Sequence, residues 1–131
     1  MKVLLDSHVL LWMIFDPERL PLSVMGVLRD ESNELHVSIV SIWELAVKVG
    51  IGKLTLPNAS TRYLVQQLPL IGAQLLTVTE AHIFALEALP SLQQHKDPWD
   101  RMLVAQAIEE GMTLLTSDKK MSAYGARIMW Q

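Results

Sequence analysis

The chain has 131 residues, half of them hydrophobic, and it contains no cysteine. This length predicts a single domain that buries about two-thirds of its unfolded surface, and the lack of cysteine excludes disulfides, thiolate zinc sites and cysteine nucleophiles. The net charge of −3, from 11 basic and 14 acidic side chains, argues against a general electrostatic attraction for nucleic acid.

The N-terminal sequence MKVLLD carries a charge at Asp6 and does not have the form of a signal peptide. The longest unbroken apolar run, at residues 9–15, has seven residues, whereas a membrane-spanning helix needs about 20. We therefore expect a soluble, cytoplasmic protein.

Short apolar runs in the first half of the chain predict two buried strands, at residues 2–5 and 35–39. The spacing of apolar residues predicts three helices, over residues 8–15, 22–32 and 41–50. Ser7 is the expected N-cap of the first helix. Ser41 and Glu44 match a capping box at the start of the third.

The second half of the chain continues this alternation of strands and helices. Strands are predicted at residues 73–78, 112–116 and 126–130. Helices are predicted at residues 59–68, 79–89 and 98–110, with a polar loop at 90–97 and a helical turn at 117–124. The pattern indicates one α/β domain, with a central, mainly parallel sheet of four or five strands joined by right-handed crossovers and flanked by helices.

Acidic residues stand where strands give way to helices, at Asp6, Glu44, Asp100 and Asp118. The strand ends of a parallel sheet line one crevice, where ligands bind. Carboxylates gathered there would repel one another, by roughly 4 kcal/mol for a pair about 4 Å apart at an effective dielectric near 20. Hard divalent cations take oxygen ligands and relieve that repulsion. The pattern predicts a metal-dependent enzyme.

Each of these acids also has a purely structural interpretation. Asp6 and Asp118 are suited to capping a helix or turn, and Glu44 to the capping box. Asp97 precedes Pro98 at a helix start, which is ordinary N-cap chemistry. Asp100 differs because it heads the helix face that should pack on the sheet, and it should therefore point into the crevice.

Other polar residues lie close to the four acids in the sequence. The hydroxyl groups of Thr116 and Ser117 are suited to a metal-bound water or a phosphate oxygen, and His8 and His95 to a carboxylate or phosphate. The histidines do not have the spacing of a zinc site, so His36 and His82 are expected to be structural.

The expected substrate contacts are basic residues near the acids, namely Lys48, Arg101 and Lys119. Arg101 is the strongest of them, because its guanidinium can hold a phosphate through two hydrogen bonds. The alternative is that all three are solvated surface residues that make no contact with a substrate. The four tryptophans are expected in the core or at an interface rather than as platforms for stacked bases.

Four segments taken together resemble PIN-domain proteins, especially VapC-type toxins of bacterial toxin–antitoxin pairs: LLDSHVLLW, VSIVSIWELAVKVGIGKL, HKDPWDRMLVAQA, and LLTSDKKM followed by Tyr124. The resemblance covers nearly the whole chain. It implies that Asp6, Glu44, Asp100 and Asp118 are the acidic quartet that binds magnesium or manganese. Asp97 belongs to the HxDPxDR form of the third segment and is implied as an accessory residue.

The resemblance further implies an endoribonuclease with one or two metal ions, a homodimer, and a VapB-type antitoxin that lays an apolar segment over the site. Residues 9–15 would supply part of the antitoxin surface or form a buried helix. Three alternatives remain open: a non-catalytic PIN-like module that binds RNA or protein, a phospho-acceptor receiver domain, and a structure-specific DNA nuclease.

Overall fold

The computed structural model describes residues 1–56, 60–91 and 97–130. In them, five strands are Lys2–Leu5 (β1), Glu34–Ser38 (β2), Ala73–Leu76 (β3), Thr113–Leu115 (β4) and Ile128–Met129 (β5). The α-helices are Ser7–Phe15 (α1), Leu22–Arg29 (α2), Ile39–Gly50 (α3), Thr61–Gln67 (α4), Glu80–Ala88 (α5) and Pro98–Glu110 (α6). Two 3-10 helices cover Pro17–Arg19 and Lys119–Tyr124.

All strand pairs are parallel, and the strand order is β3-β2-β1-β4-β5. The predicted parallel sheet is thereby confirmed, with β5 as an edge strand. Leu5 lies opposite Val37 on one side and Leu115 on the other, so the carboxyl ends of the three central strands meet at one edge. A receiver domain would have the doubly wound order 2-1-3-4-5, and this alternative is therefore wrong.

The sheet is covered on both faces, which explains why β1 and β4 are almost entirely apolar. Side chains alternate along β1: Val3 and Leu5 belong to the cluster formed with α1, α2 and α4, whereas Leu4 belongs to the cluster formed with α6. Leu103 on α6 is completely buried in the second cluster. Packing in these two clusters fixes α1, α3 and α6, whose N-terminal parts lie at the carboxyl edge of the sheet.

A buried polar network connects β2, α5 and α6. The Gln106 side-chain oxygen accepts a 2.6 Å hydrogen bond from the Ser38 hydroxyl, and its amide nitrogen lies 3.3 Å from His82 Nδ1. His82 Nδ1 also accepts from the Thr79 backbone, and His82 Nε2 lies 2.8 Å from the Glu110 carboxylate. The structural role predicted for His82 is confirmed, since it completes the capping box of α5.

Two helices begin earlier than the sequence predicted. Asp6, not Ser7, is the N-cap of α1, because Asp6 keeps the extended backbone of the strand and its carboxylate accepts from Ser7 N. Ser38 is the N-cap of α3 and accepts from Val40 N at 3.0 Å. The prediction of a capping box at Ser41 and Glu44 is therefore wrong. β2 passes directly into α3 without a loop, which places Glu44 in the second turn of α3.

Other helix ends also differ slightly from the prediction. The helix predicted to reach residue 32 ends at Arg29, because the Asp30 carboxylate accepts from the backbone and hydroxyl of Ser32 in a local turn. These hydrogen bonds lower the pKa of Asp30. Asn58, expected to precede α4, lies outside the described residues, as does most of the predicted polar loop. No helix in the described ranges is both long and apolar enough to cross a membrane.

Candidate active site

A cleft of about 370 Å³ opens at the carboxyl edge of the sheet. All five acidic residues considered in the sequence contribute to its lining. The lining residues are Asp6, Ser7, His8, Trp12, Glu44, Lys48, Asp97, Asp100, Ser117 and Asp118. The cleft therefore gathers five carboxylates from four separate segments of the chain, as the topology predicted.

Asp6 lies at the centre of the carboxyl edge, at the junction of β1 and α1. Only 6% of the residue is exposed. Its Oδ1 accepts from the backbone N of Ser7 at 2.6 Å, and its Oδ2 accepts from the Thr116 hydroxyl at 2.7 Å. Two hydrogen bonds of this kind fix the orientation of the carboxylate.

Glu44 reaches the cleft from the second turn of α3. Its Oε1 accepts from the Ser7 hydroxyl at 3.2 Å, and its Oε2 accepts from Lys48 Nζ at 2.7 Å. The Glu44 carboxylate raises the pKa of Lys48 above its ordinary value. Lys48 is the one lysine or arginine among the described lining residues, and it offsets part of the negative charge.

Asp97 and Asp100 enter the cleft at the start of α6. Asp97 Oδ1 accepts from the backbone N of Trp99 at 2.9 Å and of Asp100 at 3.1 Å. The predicted N-cap role of Asp97 is therefore confirmed. Asp100 is partly buried at the third position of the helix, near the positive end of the helix dipole.

Asp118 follows β4 at the same edge of the sheet. Its Oδ1 accepts from Lys120 N at 3.0 Å and caps the 3-10 helix, as its structural interpretation predicted. Its backbone N donates to the Thr116 hydroxyl at 3.0 Å. Because that hydroxyl also donates to Asp6, Thr116 couples two acids of the cleft. Ser117 lines the cleft and is exposed.

The donor set of this cleft fits a hard divalent cation, because carboxylate and hydroxyl oxygens dominate it. In the described residues, however, no three acidic or histidine side chains lie close enough together to hold one ion. Hydrogen bonds to Ser7 Oγ, Thr116 and Lys48 occupy the carboxylates of Asp6 and Glu44. Side-chain rotations that exchange these bonds for a cation are needed to form a metal site.

The remaining predicted site residues lie in three different places. His8 lines the mouth of the cleft and is exposed. Arg101 lies instead against the 3-10 helix Lys119–Tyr124: its Nη1 donates to the Pro90 carbonyl at 3.0 Å, and its guanidinium lies 5.3 Å from the centre of the Tyr124 ring. Lys119 lines a neighbouring cavity. His95 lies outside the described residues.

Two cleft residues were not recognised as such from the sequence. Ser7 was predicted only as a helix cap, yet its hydroxyl connects Asp6 with Glu44. Trp12, one and a half turns further along α1, lines the cleft and was predicted only as core. The available signal was the four-residue spacing between His8 and Trp12, which places both side chains on one face of α1.

Comparison with known proteins decides the family. The PIN domain profile matches residues 3–126. The chain belongs to the PIN-domain family. It is also 32% identical over 125 residues to Ribonuclease VapC22 of Mycobacterium tuberculosis, an alignment that covers 93% of this chain and 91% of that protein. The predicted resemblance to VapC-type PIN domains is thereby confirmed.

Solved structures support the same fold. The VapBC2 structure from Rickettsia felis, bound to a promoter DNA fragment, superposes with a TM-score of 0.71, 17% identity and full coverage of both chains. DNA-bound VapBC from Salmonella typhimurium gives 0.67 and 20% identity, over 98% of this chain and 97% of that chain. At these identities the likeness concerns the fold.

Proposed function

We propose that the protein is a metal-dependent endoribonuclease that acts as the toxin of a toxin–antitoxin pair. The observation that carries this proposal is the convergence of five carboxylates in one cleft at the carboxyl edge of a PIN-domain sheet. The relative named Ribonuclease VapC22 supports RNA as the substrate. PIN-domain VapC nucleases depend in general on divalent metal.

Asp6, Asp100 and Asp118 would hold one or two Mg²⁺ or Mn²⁺ ions, with Glu44 as a further ligand or as a group that positions water. Bound metal supplies a Lewis acid that lowers the pKa of water and offsets charge on the phosphate. In-line attack of a water oxygen on the phosphorus would break its bond to the 3′ oxygen and leave a 5′-phosphate and a 3′-hydroxyl. Asp97 stays a possible accessory ligand, although its Oδ1 is engaged in capping α6.

The chain's own residues keep these acids in place and receive the substrate. Thr116 and Ser7 hold the Asp6 carboxylate by hydrogen bonds. Lys48 offers an ammonium group to a phosphate once a cation replaces it on Glu44. Exposed His8 and Ser117 lie where they can donate to phosphate oxygens at the mouth of the cleft.

Neutralising single acids tests the metal site. Asp6→Asn and Asp100→Asn should each lower metal-dependent RNA cleavage at least about 100-fold, because an amide is a far weaker ligand for a hard cation. Asn also caps helices well, so α1 should persist in Asp6→Asn. The matched control is Glu87→Gln on the exposed side of α5. Cleavage equal to wild type in both Asp variants would refute the assignment.

The two remaining alternatives are separated by substrate. Wild-type protein is incubated with Mn²⁺ and labelled RNA or DNA of the same base sequence, with EDTA in parallel. The proposal expects EDTA-sensitive cleavage of RNA only. Cleavage of DNA alone would indicate a DNA nuclease, and binding without cleavage a catalytically silent module.

An antitoxin partner is supported by the VapBC complexes among the structural neighbours. In α1, residues 9 and 10 are buried and residues 11–15 are partly buried beside the cleft, so their partly exposed side chains would form one side of the contact. Co-expression with the protein encoded by a small neighbouring reading frame should give a stable complex without RNA cleavage. We place both proteins in the cytoplasm.

A homodimer is supported by an exposed apolar face on α3, α5 and α6. This face surrounds a groove of about 420 Å³ that is lined by Ile39, Val40, Trp43, Val78, Leu86, Pro98 and Met102. Trp43 is 60% exposed there, which is costly for an indole in water. Sedimentation velocity should report two chains for the wild type and one for Trp43→Glu.

A further inference from the structure

A second cavity, of about 460 Å³, lies beside the acidic cleft at the same edge of the sheet. Its lining residues come from the end of β4, the 3-10 helix that follows, and the end of β5: Thr116, Lys119, Ser122, Ile128, Met129 and Trp130. We call it the Trp130 cavity. Thr116 contributes to this cavity while its hydroxyl donates to Asp6 in the cleft. The two cavities are therefore neighbours on either side of one strand end.

The chemistry of the Trp130 cavity is opposite to that of the cleft. Its described lining residues include no acid, and they combine the exposed ammonium of Lys119 with the apolar side chains of Ile128, Met129 and Trp130. The cleft instead presents five carboxylates. A polyanion with flat, apolar rings fits such a cationic, amphipathic cavity, because its charge meets Lys119 and its rings meet the apolar floor.

Trp130 is held in position for this role. Its carbonyl accepts from the Ser23 hydroxyl at 3.3 Å, and its ring lies 5.8 Å from the Trp12 ring. The ring of Trp12 is itself contacted by the Arg19 guanidinium at 5.7 Å, and Trp12 also lines the acidic cleft. An indole fixed in this way loses little conformational freedom when a base stacks on it.

We propose that the Trp130 cavity binds a nucleotide of single-stranded RNA next to the scissile phosphate, with the base on Trp130 and a phosphate on Lys119. Two strand spacings of about 4.8 Å separate β1 from β5, so Trp130 lies roughly 10 Å from Asp6, close enough for a neighbouring nucleotide. This proposal rests on the proposed function. It also revises the expectation that the tryptophans do not stack with bases.

The test compares variants of the cavity in RNA cleavage and in RNA binding. Short labelled single-stranded RNA of mixed sequence is the probe, and binding is measured by anisotropy in the Asp6→Asn background, where RNA is not consumed. Trp130→Leu should raise KM and the dissociation constant by roughly 5- to 150-fold, the range expected for one stacked base. The value of kcat should stay unchanged, because the contact is made equally in ground and transition states.

Matched variants identify the cause of any loss. Trp130→Phe keeps an aromatic ring and should retain most of the affinity. Lys119→Met should weaken binding and reduce its dependence on salt, whereas Lys120→Met, one residue further along, should not. Thermal melting checks the fold of each variant. If Trp130→Leu does not fold, the comparison of Lys119→Met with Lys120→Met decides the question.

The outcomes separate this proposal from the proposed function. Wild-type cleavage with unchanged KM and binding in all cavity variants would overturn the nucleotide site and leave the nuclease assignment intact. A wild type that binds RNA through Trp130 without cutting it would support the site and refute the nuclease. Loss of antitoxin binding alone, with RNA binding unchanged, would show that the cavity is a protein contact and would overturn the proposal.

Discussion

Thr116→Val removes one hydroxyl while keeping the shape of the side chain. That hydroxyl donates to Asp6 Oδ2 at 2.7 Å and accepts from Asp118 N at 3.0 Å, in a residue that is 1% exposed. A hydrogen bond to a charged group contributes roughly 1.5–3 kcal/mol and a neutral one roughly 0.5–1.5 kcal/mol. We expect the free energy of unfolding to fall by about 2–4 kcal/mol.

Equilibrium unfolding in urea, with EDTA present to exclude metal effects, measures this difference. The m value should stay constant, since the substitution leaves the buried surface unchanged. Thr113→Val is the matched control, because Thr113 lies at the other end of β4 and is partly exposed. Its expected effect is within about 0.5 kcal/mol, as for other surface positions.

A loss in Thr116→Val no larger than in Thr113→Val would refute the reasoning. It would mean that the Asp6 carboxylate and the Asp118 backbone N–H exchange the hydroxyl for water at no cost. Measured RNA cleavage gives a second readout. A loosened Asp6 should lower kcat, because metal ligands must be held within a fraction of an ångström of their productive positions.

Three further predictions concern other polar groups. Gln106→Leu should lower the free energy of unfolding in urea by about 1–3 kcal/mol, because buried partners lose their hydrogen bonds; unchanged stability would contradict the network. Lys48→Met should tighten Mn²⁺ binding about 3- to 10-fold in calorimetry, since the Lys48 ammonium group no longer competes with the metal for Glu44. Equal tightening in exposed Lys53→Met would indicate a general charge effect. Burial lowers the pKa of His36, so His36 takes up its proton at a higher pH in the unfolded chain than in the folded one. Stability should therefore fall as pH drops below about 6.5. His36→Gln should flatten that fall, and identical slopes from pH 7 to 5 would argue against it.

The strands and the position of the cleft were predictable from the sequence, because both follow from apolar runs and parallel topology. The starts of α1 and α3 were not. Ser38 and Ser41 are equally good caps by residue type, and only the direct passage from β2 into α3 selects Ser38. Asp6 and Ser7 are likewise both good N-cap residues, and only the extended backbone at Asp6 shows that Asp6 is the cap of α1.

The arrangement of side chains within the cleft was beyond sequence reasoning. Whether an acid faces a metal or a hydrogen-bond donor depends on residues far away in the chain, as with Asp6 and Thr116. Arg101 illustrates the same point, because its contact with Tyr124 competes with the predicted phosphate contact and has no local signal. Topology places residues at an edge, and side-chain packing decides their partners.

The hydrogen bond between Asp6 and Thr116 joins residues 110 positions apart in the chain. During synthesis, the first strand and its acid emerge long before the fourth strand exists to complete the carboxylate set. A growing polypeptide therefore carries an incomplete set of acids until Asp118, which follows the fourth strand, has left the ribosome. A nascent chain shorter than this has the first strand and its acid without the partners that the folded site needs.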